Sequence, residues 1–209
     1  MAESTKTTPG APPDWDTIYR EDVPPWETGL PSRELIRVLD EGIVSPGTTL
    51  EVGCGTGADA VYLAQRGFEV TGVDSSPMAV ERARARSRLE NAAVCFVLAD
   101  VFEFVETAEP FDFIYDAGFY HFIRQTDLNR YFDLLWRTTR PGSYYLALAG
   151  STGEAADGGP PQVSEEEIRS ELGRLLEFVH LRHFRFESRR CEKGYLGWSC
   201  LLKRPFVTR

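Results

Sequence analysis

Residues 48–59 read Thr-Thr-Leu-Glu-Val-Gly-Cys-Gly-Thr-Gly-Ala-Asp, and the rest of the chain is organised around them. Thr48 to Val52 is a short β-favouring run. Gly53, Gly55 and Gly57 then alternate with Cys54 and Thr56, and a helical pattern begins. The order is strand, glycine turn, helix. Glycine lacks a Cβ, so such a turn reaches positive φ and lets a ligand press against its backbone. The turn also aims the unpaired N–H groups that open the helix at that ligand. Read alone, the glycines fit either a tight strand-to-helix turn without ligand or the G-x-G-x-x-A dinucleotide pattern of Gly53, Gly55 and Ala58.

Working outward, strand and helix patterns alternate. Pro31 to Glu41 reads as a helix with Gly42 past its end. Phe68 to Val73 reads as the second strand, ending at Asp74 and followed by Ser75. Ser76-Pro77 then looks like an N-cap and first helical residue for a helix to about Leu89. Four arginines crowd that helix, at 82, 84, 86 and 88, and their two-residue period spreads them round it as a solvated face. Val94 to Leu98 is consistent with a third, buried strand, followed by Asp100 and Val101. Phe111 to Tyr115 makes a fourth, ending at Asp116. Thr126 is placed to cap the next helix, on which Leu128, Tyr131, Phe132 and Leu135 form one stripe. Ser143 to Ala149 is the fifth strand, and residues 150–162 read as a flexible loop. Ser164 to Glu167 has capping-box form. Val179 to Phe186 and Tyr195 to Leu202 are two last strands joined by a short turn, so they pair antiparallel. The implied fold is α/β and doubly wound: a seven-stranded, mostly parallel sheet ending in an antiparallel hairpin.

Composition sets limits on partners. The chain has 209 residues, 42% hydrophobic and 26% charged, which suits one globular domain. A net charge of −9 disfavours a nucleic-acid partner. No stretch approaches a membrane span and no secretory h-region opens the chain, so the expected setting is cytoplasmic. The four cysteines form no metal-ligand spacing, and no metal is expected. Residues 1–14 read as a disordered tail and 15–209 as a single domain, with 15–31 as an N-terminal lid segment. A monomer or weak homodimer acting on a small molecule is the expectation.

Two features lift the glycine turn above its alternatives: Glu51 just before it, and Asp74 at the end of the second strand. Glu51 to Gly57, with the acid after strand two and the terminal hairpin, resembles motif I and the sheet of class I S-adenosylmethionine (SAM)-dependent methyltransferases. That resemblance implies a Rossmann-like methyltransferase fold with SAM as cofactor and S-adenosylhomocysteine as product. It implies that Gly53, Cys54 and Gly55 line the methionine and ribose portions. Asp74 and Ser75 would meet the ribose, Asp100 and Val101 the adenine, and Asp116 the methionine ammonium. A narrower likeness lies in Pro25-Trp26-Glu27-Thr28-Gly29-Leu30-Pro31. This segment resembles the one that folds over SAM in thiol, halide, thiopurine and tellurite-resistance-type methyltransferases, and it implies a cofactor contact for Trp26. Aromatic faces also attract a cation, and SAM carries a sulfonium.

Methyl transfer from an activated sulfonium asks mainly for alignment, and a thiolate acceptor needs no strong base. His121 and Tyr120, after strand four, are the candidate catalytic side chains, each with a structural reading as pocket wall. The expected function is SAM-dependent methyl transfer to a small nucleophile such as a thiol. The alternatives are O- or N-methylation, a nicotinamide-dependent oxidoreductase, or a non-catalytic SAM-binding module.

Overall fold

The computed structural model describes residues 13–154 and 159–206. The tail expected over residues 1–14 therefore lies outside the described residues as far as residue 12, as do positions 155–158 of the expected loop. Asp14 is described, and it caps the first helix: its carboxylate accepts from Thr17 N at 3.2 Å and Thr17 Oγ1 at 2.7 Å.

Eight strands and seven helices are formed among the described residues. In chain order they are α1 (Trp15–Glu21), α2 (Arg33–Asp40), β1 (Thr48–Val52), α3 (Ala58–Gln65), β2 (Glu69–Asp74) and α4 (Pro77–Leu89). Then come β3 (Val94–Leu98), α5 (Val101–Phe104), β4 (Phe111–Ala117), α6 (Phe119–Thr138) and β5 (Thr139–Ser151). The chain ends with β6 (Gln162–Val163), α7 (Glu165–Leu172), β7 (Glu177–Phe186) and β8 (Tyr195–Lys203). The sheet order is β3-β2-β1-β4-β5-β8-β7. Strands β1 to β5 run parallel, and β8 lies antiparallel between β5 and β7. One strand exceeds the expected seven, because Gln162 and Val163 pair with Gly150 and Ser151 at the end of β5. A two-residue strand leaves no periodic signal in the sequence.

Apolar side chains pack on both faces of the sheet. One face buries Val61, Leu63, Val80 and Ala83 of α3 and α4 against Val70, Phe96 and Leu146. The other buries Tyr131, Leu134 and Leu135 of α6 and Ile168 and Leu172 of α7 against Tyr145, Ala147 and Trp198. At the centre, β1 and β4 are neighbours with Val52 opposite Asp116. Strand order reverses direction there, and the carboxyl ends of such strands frame a ligand crevice.

Several local expectations hold. Ser76 caps α4 by accepting from Ala79 N at 3.1 Å, with Pro77 in the first turn. Ser164 and Glu167 form the reciprocal capping box of α7. Others do not. Strand β3 is an edge strand, so Cys95 is exposed and Leu98 is 48% exposed; the apolar run there does not mark burial. Helix α6 starts at Phe119, well before Thr126, and kinks at Asp127 (φ −151°, ψ 74°). Asp127, not Thr126, caps the second half: Oδ1 accepts from Arg130 N at 3.0 Å, whereas Thr126 Oγ1 donates back to Ile123 O. The aspartate leaves the helix and can reach forward, as N-caps do. Replacing Asp127 with Ala should therefore cost about 1 kcal/mol in urea unfolding, with Thr126→Ala within about 0.5 kcal/mol of the parent. The reverse ranking would return the cap to Thr126.

Candidate active site

The turn after β1 is built by backbone bonds that only its glycines permit. Gly53, Gly55 and Gly57 have φ of 66°, 51° and 77°. The amides of Gly53 and Cys54 both donate to Val73 O, at 2.9 and 3.1 Å, which sews the turn to the end of β2. A Cβ on Gly57 would lie 2.7 Å from the Phe96 ring, so nothing larger fits there. Gly53 is exposed on the crevice side, with Phe119 3.7 Å from where its Cβ would be.

Asp74 faces this turn. Its Oδ2 accepts from Gly55 N at 2.8 Å and its Oδ1 from Ser76 N at 2.9 Å. A carboxylate offers about four acceptor directions, so each oxygen keeps capacity for a further donor. Burial raises the Asp74 pKa, and the amide bonds oppose that rise. The next loop lies alongside, since Ala99 N donates to Asp74 O at 3.1 Å. Asp100 in that loop accepts from Phe102 N at 2.9 Å and so caps α5, keeping its side chain 46% exposed. Val101 is buried behind it and Ser75 is exposed beside Asp74. The expected residues at the ends of β1, β2 and β3 thus share one edge.

Beneath the turn, Glu51 is buried and its Oε2 has no hydrogen-bond partner among the described residues. Burial first, then repulsion from Asp59 and Asp74, raises its pKa well above the usual carboxylate value. Asp59 accepts from Ser32 N at 2.7 Å and Tyr115 Oη at 2.8 Å, and burial pushes its pKa up to about 6. Burial likewise raises the Cys54 thiol, so this cysteine is packing within the turn and not a nucleophile.

Three of the expected residues after β4 turn into the interior. Asp116 is 1% exposed, and its oxygens accept from Phe119 N, Tyr120 N, Tyr131 Oη and Tyr145 Oη at 2.6 to 3.2 Å. The Tyr131 and Tyr145 hydroxyls also meet each other, so one donates to the other, and at least three donors hold the carboxylate at the β4–α6 corner. Tyr120 points into the interior, where Oη donates to Glu171 Oε2 at 2.7 Å and ties α6 to α7. His121 is 3% exposed, and its Nδ1 accepts from Gly150 N at 3.2 Å. The proton of the neutral ring is then on Nε2, which can donate but cannot take a proton. Burial pushes the His121 pKa down to about 3. The ring is therefore neutral at neutral pH and a weak base. Sequence spacing places these residues at the correct strand end but carries no information on which way each side chain turns.

The N-terminal segment closes over the edge. Asp16 Oδ1 accepts from Ser76 Oγ at 3.0 Å and Met78 N at 3.1 Å, so α1 docks on the opening of α4. Tyr19 is buried, with Oη 2.7 Å from where a Gly55 Cβ would be. Trp26 Nε1 donates to Tyr19 Oη at 3.3 Å while its side chain stays exposed. Trp15 stands edge-on to Trp26 and to Phe122, with centroids 6.1 and 5.0 Å apart. Trp15 and Trp26 of the segment thus cluster with Phe122 of α6. Arg189 N donates to Pro25 O at 2.8 Å, which brings the β7–β8 turn to the same rim. The sequence does not reveal Asp16 or Phe119, because their partners lie about sixty residues away in the chain.

A cofactor with hydroxyls and a cationic amino-acid end fits this edge. Spare acceptor capacity on Asp74 suits hydroxyl donors, and the unpartnered Glu51 Oε2 puts an unmet polar group below the exposed Gly53. Comparison with known proteins agrees. A methyltransferase-domain family matches residues 49–142. The 2-heptyl-1-hydroxyquinolin-4(1H)-one methyltransferase of Mycobacteroides abscessus is 33% identical over 151 residues, 70% of this chain and 65% of that one. A probable thiol methyltransferase of Arabidopsis thaliana is 30% identical over 159 residues, 76% of this chain and 70% of that one. The chain thus spans about two thirds of the length of these relatives. A structure solved in work on the conversion of a disulfide bond into a thioacetal group during echinomycin biosynthesis superposes with TM-score 0.80 at 24% identity. It covers 93% of this chain and 91% of that one, and shows the shared fold. This chain belongs to the class I SAM-dependent methyltransferases, the family that includes the thiol and thiocyanate enzymes.

Proposed function

We propose that the protein transfers a methyl group from SAM to a small-molecule nucleophile that is already ionised when it binds, a thiol or another soft acceptor. The observation that carries this reading is the edge at Asp74 and Gly53 beside an aromatic cluster, with His121 and Tyr120 both turned inward. When bound, SAM supplies a methyl group already activated by its sulfonium. The chain's own residues bind, orient and exclude water. Asp74 and Ser75 are assigned to the ribose, Asp100 and Val101 to the adenine, and the Gly53–Gly55 backbone with Glu51 to the methionine end. Holding two reactants in line is worth roughly 7–11 kcal/mol, so no general base is required for large acceleration. Trp15, Trp26, Phe119 and Phe122 give the acceptor an apolar, partly closed setting, in which a thiolate loses solvating water.

The two relatives named above act, by their names, on a thiol and on a hydroxyquinolinone. Ionisable hydroxyl compounds are therefore the second acceptor class to test beside thiols. Neutral alcohols fit less well, because His121 and Tyr120 are both engaged in the interior and not placed to take their proton.

Asp74→Ala should weaken S-adenosylhomocysteine binding by about 1.5–3 kcal/mol, the range for hydrogen bonds to a charged group. Isothermal calorimetry beside a thermal melt reads this, and unchanged affinity in a folded variant would remove Asp74 from the site. The pH profile tests the acceptor chemistry. Because His121 stays neutral above its depressed pKa of about 3, kcat/KM should rise with pH only as the acceptor itself deprotonates. The rising limb should move when an aromatic thiol replaces an alkyl thiol. A limb fixed across acceptors and lost in His121→Asn would instead establish a protein base.

A further inference from the structure

Arg86 is the one arginine of α4 whose guanidinium bridges the glycine turn and the N-terminal segment. Its Nε donates to Thr56 O at 3.1 Å and its Nη1 to Gly29 O at 2.9 Å, and Nη2 lies 3.4 Å from Thr56 Oγ1. Glu27 Oε1 is 3.6 Å from Nη2, and Glu27 Oε2 accepts from Thr56 Oγ1. The Arg86 and Glu27 side chains are only 21% and 14% exposed. Arg84, by contrast, donates to Phe96 O on the edge strand. The four-arginine run is thus not one uniform solvated face.

We infer that Arg86 is a positioning residue that latches the N-terminal segment over the cofactor. It does so by gripping Glu27 and Gly29 on one side and Thr56 of the glycine turn on the other. This rests on the reading of the edge as a SAM site. The planar guanidinium with its fixed fork of donors suits the task, since one side chain must meet two carbonyls and a carboxylate at set angles. A lysine would keep the charge and lose the fork. The two ends of the segment are held differently. Residues 14–19 rest on Asp16 and Tyr19, and residues 27–29 rest on Arg86. Between them, Trp26 hangs from Tyr19 through its indole N–H. Release at Arg86 therefore loosens the part that carries Trp26 while α1 keeps its own contacts. A groove of about 450 Å³ lined by Val23, Glu27, Thr56, Arg86 and Leu89 flanks the latch, so water reaches these polar bonds. They can break and re-form as the cofactor enters and its product leaves. Arg86 itself has no assigned contact with cofactor or acceptor.

The test compares the parent with Arg86→Met, Arg86→Lys, Glu27→Gln and the Met/Gln double variant. Hydrogen–deuterium exchange of the ligand-free proteins reads the amides of residues 22–31 against those of β4 and β5 as the folding control. Arg86→Met should speed exchange in residues 22–31 at least tenfold with the strand amides unchanged, and Arg86→Lys should fall between it and the parent. The double variant should fall short of the product of the two single effects, because the Arg86–Glu27 contact is common to both. S-adenosylhomocysteine should dissociate several-fold faster from Arg86→Met, and kcat/KM for SAM should fall more than kcat. Parent-like exchange in residues 22–31 of Arg86→Met overturns the latch, as does multiplication of the two single effects in the double variant. The exchange arm needs no ligand. A parent protein that fails to bind S-adenosylhomocysteine would therefore contradict the SAM reading, separately from the latch.

Discussion

The carboxylate of Asp74 takes the amide of Gly55 on one oxygen and that of Ser76 on the other. Those two bonds join the loop after β1 to the loop after β2, and the rest of the site depends on them. They fix the glycine turn in its positive-φ form, they leave Gly53 open to the crevice, and they hold the carboxylate itself at the rim. The N-terminal segment then docks on what this junction exposes. Asp16 takes the Ser76 hydroxyl and the Met78 amide, and Tyr19 lies against Gly55. The glycine turn and the segment docked on it are thus one construction, since both are anchored on the same few backbone groups.

The other strand-end acids divide by surroundings. Asp100 stays half exposed because it follows an edge strand and caps only a four-residue helix. Asp116 ends a central strand, where two tyrosines and two amides close over it, and burial pushes its pKa up to about 6. Its place in the fold is to set the β4–α6 corner, which in turn carries Phe119 to Gly53 and Phe122 to Trp15. His121 belongs to the same corner, holding the Gly150 amide at the end of β5. Among the described residues, the two side chains at this corner that could exchange a proton, Tyr120 and His121, are both engaged in the interior.

Much of this was legible in residues 48–59 and in the alternation that follows, because glycine spacing, caps and β-runs are local signals. The parallel core, the terminal hairpin, the Ser76 and Ser164 caps and the shared edge of Asp74 and Asp100 follow from them. What escaped is what depends on side-chain direction or on distant partners. Thr126 and Asp127 are adjacent and both are good caps, and only the kink decides between them. Asp116 and His121 stand at the expected strand end yet turn inward, because the tyrosines at 131 and 145 arrive from α6 and β5. Val94 to Leu98 reads as buried since an apolar run does not say whether another strand lies beyond it. Arg86 reads as solvated because its partners lie 30 and 57 residues away in the chain.

A crystal structure of the full chain with S-adenosylhomocysteine tests the central claim most directly. The account places both ribose hydroxyls on Asp74 while its bonds to Gly55 and Ser76 persist, with the nucleoside lying between the glycine turn and the segment that carries Tyr19 and Trp26. Ligand density in the groove beside Val23 and Leu89, or an Asp74 carboxylate with no ligand contact, would contradict it.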